Sequence, residues 1–572
     1  MAQSKPQNQI PVKMQYNDQE LETDEDLAQG FADFFRRKVE TITESTKIEQ
    51  SVFNGEKKVN SDSVNFFTEE NVSQVMKNLK DKSSYGFDNI PVKVLRDAHQ
   101  ILTKPYHKLL NKIYNQNIIP EQWKTSRILP LHKKGKKNLI ENYRPISNLC
   151  AGSKVFEKLI LTRILEIEEE VGTSLTGNNQ HGFKKGRSTI TASLEIQSRV
   201  AALMDQDQYV AVASLDLSAA YDVVNVNVDL LIVRLRKMGL PTDVISLLES
   251  WLKDRQCYVE VRNSCSQYFD SNDGTVQGSI LGPVLFSLFV SPLLEKEDAI
   301  SYADDNYLIK GNRNKEVALQ RLQFQVQKVE KWLTSSGLKV NVEKTEIAIF
   351  HKTDTATTSI KINDIEIHTK KQMSVLGVIF DSKLEWSLQV ENSVRKARSS
   401  LQGLRILNKY FTTPERLVLI TSFFYSRLYY SSQVWLIPSL KGSLKSKLFS
   451  ASGAALRLLD RDMSFRALHK KYNRATPTQF QKYTTAISLY DLIKNKIPED
   501  EWINLQFNIQ NEQRNIKLSF HVNNRLKLGL NCLSNRFKSI TNEIDKQWID
   551  MTRDAFKTKC KKRLIIEKLF LL

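Results

Sequence analysis

Residues 209–222 read YVAVASLDLSAAYD, and residues 300–310 read ISYADDNYLIK. In the first stretch Val210, Ala211, Val212 and Ala213 have the small and β-branched make-up of a buried strand, and the run ends on an acid, Asp216. In the second, two short apolar runs flank Asp304 and Asp305, the pattern of two strands meeting at a hairpin tip. Adjacent carboxylates beside apolar strands repel each other and cost desolvation energy unless something neutralises them. Two Mg²⁺ ions about 3.5–4 Å apart would do so, and such a pair suits in-line phosphoryl transfer. Taken singly, each piece also has an ordinary reading: Asp-Asp is common in turns, and Asp216 could cap a helix.

Working outward, the alternation of patterns gives a mixed α+β chain. LETDEDLAQGFADFFRRKVETI carries one amphipathic stripe (Leu27, Phe31, Phe34, Phe35, Val39), and the rest of residues 1 to about 60 reads as a linker or tail. FTEENVSQVMKNLKD opens with a helix-cap signal, and PVKVLRDAHQILTKPYHKLLNKIYNQNIIP reads as helices bounded by prolines. WKTSRILPLHKKGKKNLIENYRPISNL reads as short strands around a basic turn, and a strand pair is expected around Cys257. Leu319, Leu322, Val326, Val329 and Leu333 stripe a helix that Gly337 ends. KTEIAIF and SVLGVIFD are strand-like, and from about residue 385 the pattern is helical with few strand signals.

The chain has 572 residues, enough for three or four domain-sized units. A hydrophobic fraction of 41% excludes a chain disordered throughout. Cys150, Cys257, Cys265, Cys532 and Cys560 are scattered with no C-x-x-C pair, which argues against a disulfide framework or zinc knuckle. No apolar run approaches the length of a membrane span, and MAQSKPQNQIPVK lacks the apolar core of a secretory signal. An intracellular protein, in the nucleus or the cytoplasm and with no membrane partner, is the expectation. With 83 Lys+Arg against 64 Asp+Glu, the net charge is 83 − 64 = +19, and such a balance points to nucleic acid. The excess is local: residues 391–572 hold 33 basic and 14 acidic side chains, 33 − 14 = +19, so residues 1–390 sum to zero. Within that neutral part, residues 101–150 carry ten basic and two acidic residues, and residues 201–300 carry seven and fourteen.

Eight segments in this order resemble the reverse transcriptases of non-LTR (LINE-type) retrotransposons, particularly the jockey-like group: GFDNIPVKVL, NYRPISNLCAGSKVFEKLI, QHGFKKGRST, SLDLSAAYD, QGSILGP, YADD, GLKVNVEKTE and LGVIFDSKLEW. The resemblance is close over roughly residues 65–390. It implies an α+β, right-hand polymerase with fingers, palm and thumb. The divisions would be a linker or extension (1–65), fingers with part of the palm (66–205), palm ending in a primer-grip-like hairpin (206–385), a helical thumb (386–490) and a basic C-terminal region (491–572).

The resemblance also implies roles. Asp216 and Asp304 would ligate two Mg²⁺ ions (Mn²⁺ as the substitute), with Asp305 completing the carboxylates and the Leu217 carbonyl a further ligand. Tyr221 would be a steric gate against the ribose 2′-hydroxyl, although an aromatic there could equally be core. Gln277 and Gly278 would lie beneath the incoming nucleotide, where glycine permits close backbone approach. Lys344 would protonate the departing pyrophosphate. Lys133 and Arg144 would grip the triphosphate, Arg as a bidentate donor and Lys as a point charge; HKKGKK (132–137) could also be a solvated loop or an import patch. Gln180, Gly182, Phe183 and Arg187 match a segment associated with template contacts. The implied partners are an RNA template, a DNA primer and dNTPs.

Only some 65 residues precede the resemblance, too few for the endonuclease such elements place there, so an endonuclease acting in trans is a further expected partner. The alternatives are a catalytically silent, element-derived nucleic-acid-binding protein and, less in keeping with an aromatic at position 221, a viral RNA-dependent RNA polymerase.

Overall fold

The computed structural model describes residues 10–44, 65–80, 84–172, 174–217, 227–271, 278–353, 356–362, 365–494, 507–512, 515–520, 548 and 551–566. The chain opens with strands β1 (Met14–Tyr16) and β2 (Gln19–Leu21) and helix α1 (Asp24–Glu44). Helices α2 (Glu69–Lys77), α3 (Val92–Asp97), α4 (His99–Gln116) and α5 (Glu121–Lys124) lead into β3 (Thr125–His132) and β4 (Tyr143–Asn148). Next come α6 (Ala151–Val171), α7 (Thr189–Asp205), β5 (Tyr209–Asp216), α8 (Val228–Met238), α9 (Thr242–Leu252), and strands β6 (Gln256–Val261), β7 (Ser264–Cys265) and β8 (Phe269–Asp270). After α10 (Gly282–Lys296) follow β9 (Ile300–Tyr302), β10 (Asp305–Asn312), α11 (Lys315–Ser335) and β11 (Glu346–Phe350). Two hairpins, β12 (Ser359–Ile362) with β13 (Ile365–His368) and β14 (Gln372–Val375) with β15 (Val378–Asp381), precede the helices. These begin with α12 (Ser387–Leu407) and continue through Gly442–Leu456, Phe465–Lys471 and Pro477–Lys494 to Arg553–Lys561. No helix among the described residues is long and apolar enough to cross a membrane.

Two compact units divide the chain. The first comprises residues 1–183, 216–298 and 327–341. Its sheet runs β4-β3-β6-β7, with β8 also on β6; β3 and β4 are antiparallel, and β3 and β6 are parallel. The stripe on α1 buries Leu27, Phe31 and Phe35 with Ile128, Tyr143, Cys257 and Val259, and Met14 of β1 joins them. Residues 10–21 are therefore not the linker their polar sequence suggests. They pair as a hairpin, Met14 opposite Leu21, and contribute to the same small core. Nor does proline bound every helix here: α4 runs through Pro105.

The second unit comprises residues 184–215, 299–326 and 342–572. Its sheet runs β11-β5-β10-β9. Ser214 of β5 stands opposite Glu346 of β11, and Tyr302 of β9 opposite Asp305 of β10. One continuous core joins this sheet (Val210, Val212, Tyr307, Phe350) to α7 (Val200, Met204), the β14–β15 hairpin (Met373, Phe380), α12 (Val394, Ala397, Leu401) and helices as distant in sequence as Leu448 and Leu564. Each such side chain contributes roughly 1.5–3 kcal/mol by burial. The basic C-terminal helices are thus structural for the sheet. Residues 507–512 and 515–520 form an antiparallel strand pair in a region whose sequence reads as helical.

Candidate active site

The acids lie at one end of the four-stranded sheet. β5 is built of fully buried Val210, Ala211, Val212 and Ala213, and its last residue is Asp216, half-buried. β9 and β10 are joined by a two-residue loop, Ala303-Asp304, between the paired residues Tyr302 and Asp305. Ala303 is buried with φ +61°, whereas Asp304 stays outside the left-handed region, so the turn has positive φ at its first central position only. That position ordinarily belongs to glycine. The turn is fastened by the Ser301 hydroxyl donating to the Ala303 carbonyl (3.3 Å) and the Asn306 side-chain Nδ2 donating to the Asp304 carbonyl (2.9 Å).

Strand alternation relates the two acidic segments. The buried Tyr307 phenol faces Ser214 and the backbone of Leu376, and burial, followed by the nearby Asp305 carboxylate, pushes its pKa up. Asp305 precedes Tyr307 by two residues on β10, and Asp216 follows Ser214 by two on β5. Side chains two apart share a face. Asp305 therefore shares the face of Ser214 and Tyr307, with Asp304 in the turn beside it, and Asp216 is the last residue of β5. Glu346, opposite Ser214, is a further carboxylate of that face and had no role assigned from sequence. It is tied down by Lys370 Nζ at 2.8 Å and by the Ser374 amide at 3.3 Å.

Beyond Asp216, Leu217 forms an antiparallel bridge with Val340, and the Asn341 amide donates to the Asp216 carbonyl at 2.8 Å. In such a pair the bonded groups belong to the residues on either side, so the Leu217 carbonyl points away from the Val340 strand. The oxygen-only donor set, carboxylates and one backbone carbonyl, has the chemistry of a hard-cation site. Among the described residues no three His, Cys, Asp or Glu side chains are gathered to hold an ion by themselves. Magnesium sites of phosphoryl-transfer enzymes are commonly of this kind, with one or two carboxylates from the protein and the remaining oxygens from substrate phosphates and water.

The other sequence-predicted residues fall in separate places. Leu131 stands opposite Arg144, and the Lys133 amide donates to the Asn142 carbonyl at 2.8 Å. Leu131 and Lys133 are two apart, so Lys133 and Arg144 share one face of the β3–β4 hairpin, Lys133 exposed and Arg144 half-buried. Lys344 is exposed in a 3₁₀ turn just before β11. In the first unit Gln180 and Gly182 are buried, the Gln180 side chain accepting from the Gly182 amide at 2.8 Å, and Phe183 is 56% exposed with φ +59°. Arg187, in the second unit, is half-buried. Tyr221 and Gln277 lie outside the described residues.

Gly278 is exposed on one side and wedged on the other. Its φ is +111°, and a Cβ there would come within 2.4 Å of the Ser147 carbonyl oxygen on β4. Three amides that follow it are engaged at the start of α10. Ile280 and Leu281 donate to one carboxylate oxygen of Glu157 at 2.5 and 3.2 Å, and Gly282 donates to the Ser279 hydroxyl at 2.7 Å. Glu157 on α6 is fully buried, and burial pushes its carboxyl up to about 7 against the pull of those amides and of Arg255. Its signal in the sequence was an acid set among Val155, Phe156, Leu159 and Ile160.

Residues 131–380 match the family described as reverse transcriptase (RNA-dependent DNA polymerase). Over these residues the chain carries a reverse transcriptase domain. Among curated proteins, it is 31% identical over 358 residues to the probable RNA-directed DNA polymerase from transposon BS of Drosophila melanogaster, covering 60% of this chain and 39% of that protein. It is 26% identical over 349 residues to the RNA-directed DNA polymerase from mobile element jockey of the same fly, covering 58% and 37%. The chain thus spans about two fifths of the length of these curated relatives. Among solved structures, apo telomerase from Candida Tropicalis matches at 13% identity and a TM-score of 0.34, over 64% of this chain and 66% of that one. The matched residues take in the end of β3 from Leu131, all of β4, the whole four-stranded sheet with its acids, and the β14–β15 hairpin as far as Phe380. Reverse transcriptases of this family generally use divalent metal ions.

Proposed function

We propose that this chain is an RNA-directed DNA polymerase of a non-LTR retrotransposon, which copies an RNA template by extending a DNA primer with dNTPs. The observation that carries this reading is a four-stranded sheet inside a reverse transcriptase domain whose strand β5 ends on Asp216 and whose β9–β10 hairpin carries Asp304 and Asp305. Asp216 and Asp304 would hold two Mg²⁺ ions, with Mn²⁺ as the substitute, Asp305 completing the carboxylates and Leu217 offering its carbonyl. Bound there, such ions supply activation of the primer 3′-hydroxyl and stabilisation of the leaving pyrophosphate.

The protein's own groups do the rest. Lys133 and Arg144, on one face of their hairpin, hold the triphosphate by charge. Gly278 exposes backbone where a side chain would obstruct a base. Tyr221 excludes ribonucleotides by its ring, and Lys344 gives a proton to the departing pyrophosphate. Gln180, Gly182, Phe183 and Arg187 bear on the template strand. The basic helices after residue 386 contact duplex backbone without reading sequence. An endonuclease acting in trans would supply the primer end, and the nucleus or cytoplasm would provide template and dNTPs.

Primer extension on poly(rA)/oligo(dT) with Mg²⁺ and dTTP tests the reading. The wild-type chain should extend the primer and Asp304→Ala should not. A wild-type chain that binds primer-template but extends nothing would leave a silent binding protein in place of the enzyme.

A further inference from the structure

Glu157 is not explained by packing. It is a fully buried acid among Val155, Phe156, Leu159 and Ile160, and one of its two oxygens, Oε1, has no hydrogen-bond partner. A buried ionic pair replaced as a whole by apolar side chains is often neutral or stabilising, so the presence of such a pair is weak evidence of a role in stability alone. What the carboxylate does is geometric. A single oxygen, Oε2, accepts from two consecutive amides, Ile280 and Leu281, and an oxygen in that position fixes both peptide planes at once. Those amides head α10, where the exposed N–H groups favour a negative partner. Two residues upstream, Gly278 is held against the Ser147 carbonyl with no room for a Cβ. The loop Gly278–Leu281 is therefore clamped from two sides, by β4 through Ser147 and by α6 through Glu157. Arg255, itself fully buried and bonded to the Trp251 carbonyl and the Ser126 hydroxyl, supplies the opposing charge that lets an ionised Glu157 persist, with Lys154 a turn earlier on α6.

We propose that Glu157 is a positioning residue: it latches the Gly278–Leu281 loop in the conformation that receives the incoming nucleotide. This rests on the polymerase reading for the word nucleotide, and on geometry alone for the latch. The carboxylate touches neither template nor dNTP; it acts through the loop backbone. Loss of the latch lets the loop leave Ser147, so the defect falls on capture of the dNTP more than on the chemical step.

The experiment compares full-length wild type with Glu157→Ala, Glu157→Met and Glu157→Gln. Hydrogen exchange of the peptide spanning Ile280 and Leu281 should speed up at least tenfold in the Ala and Met variants. Gln, which keeps an accepting oxygen, should stay within about threefold of wild type. In dTTP-dependent extension, KM for dTTP should rise about tenfold in Ala and Met while kcat falls less than threefold, and Gln should recover most of the loss. A simple helix cap would lower the melting temperature and leave the split between KM and kcat unmoved; that result overturns the proposal. Unchanged exchange at Ile280 and Leu281 in a folded Met variant overturns the latch itself, whatever the activity. A wild-type chain that extends nothing overturns the polymerase reading, and with it the nucleotide half of this inference, while the exchange arm still decides the latch.

Discussion

Gly278→Ala should damage this protein in a way that can be worked out from two numbers. The glycine has φ +111°, and an added Cβ would stand 2.4 Å from the Ser147 carbonyl oxygen, whereas ordinary contact begins near 3.4 Å. The deficit is 3.4 − 2.4 = 1.0 Å, and the obstacle is backbone in a paired strand, so β4 cannot rotate out of the way. If the loop keeps its place, the left-handed conformation costs about 1–3 kcal/mol for a non-glycine residue and the overpacking about 1–3 kcal/mol more. Against this, alanine gains roughly 0.4–1 kcal/mol by restricting the unfolded chain. The net expectation is a loss of about 2–5 kcal/mol in urea unfolding followed by tryptophan fluorescence. If instead the loop yields by that ångström, stability suffers less but the nucleotide is misplaced, and extension should fall by about 10²-fold. Gly172→Ala is the control: φ is +69° there too, but nothing lies within 4 Å of the added Cβ. It should cost only the strain, about 1–2 kcal/mol, and leave extension intact. A Gly278→Ala variant that loses under about 1 kcal/mol and extends primers within threefold of wild type would refute the reasoning.

Asp304→Ala and Asp216→Asn should each remove several kcal/mol of charge stabilisation and slow extension at least ~10³-fold, with far-UV circular dichroism unchanged. Ala303→Gly relieves a left-handed alanine worth about 1–2 kcal/mol, offset by unfolded-state entropy, so stability should hold or rise by up to about 1 kcal/mol; a larger loss in a thermal melt would contradict the turn geometry. Burial holds the His469 pKa below its ordinary 6.5, while its ring contacts the Ser452 hydroxyl and the Phe465 carbonyl. Below 6.5 the unfolded chain takes up a proton that the folded one resists. The stability that His469 contributes is therefore complete above about 6.5 and falls away as pH drops toward the depressed folded value. Urea titrations from pH 7.5 to 5 should show that slope, and His469→Gln should flatten it. Arg395, Arg398 and Arg405 are exposed along one side of α12; changing all three to Gln should weaken duplex binding and lower the salt slope by at most about three, near 0.9 for each phosphate no longer neutralised.

Much of the site was legible because its residues obey local rules. The run Val210–Ala213 has the make-up of a buried strand, and the pair Asp304-Asp305 marked the β9–β10 hairpin, although the turn itself is Ala303-Asp304 and Asp305 already belongs to β10. The stripe of α1 and the stop after α11 were legible for the same reason. What escaped depends on long-range partners. Met14–Leu21 looks polar until α1 and Tyr143 complete its core, and the strand pair 507–520 gives no strong alternation. Pro105 reads as a boundary, yet α4 continues through it. Glu157 sits inside a recognisable segment, but its partners lie 123 and 124 residues away, and no spacing rule reaches that far.

The shared core of the second unit also sets an order of events during synthesis. Val210 and Leu564 belong to one cluster, separated by 564 − 210 = 354 positions. At about 5–20 residues per second, the ribosome needs roughly 20–70 s to deliver the far partner after the near one. Through that interval the strand bearing Asp216 has neither its full set of neighbours nor all its covering helices, and the nascent chain must keep apolar β-sequence from pairing with other chains. A product broken off before Leu564 would carry most of the recognisable segments and still lack a finished core beneath its sheet. The sheet's platform is thus settled only once the segment around Leu564 has been made.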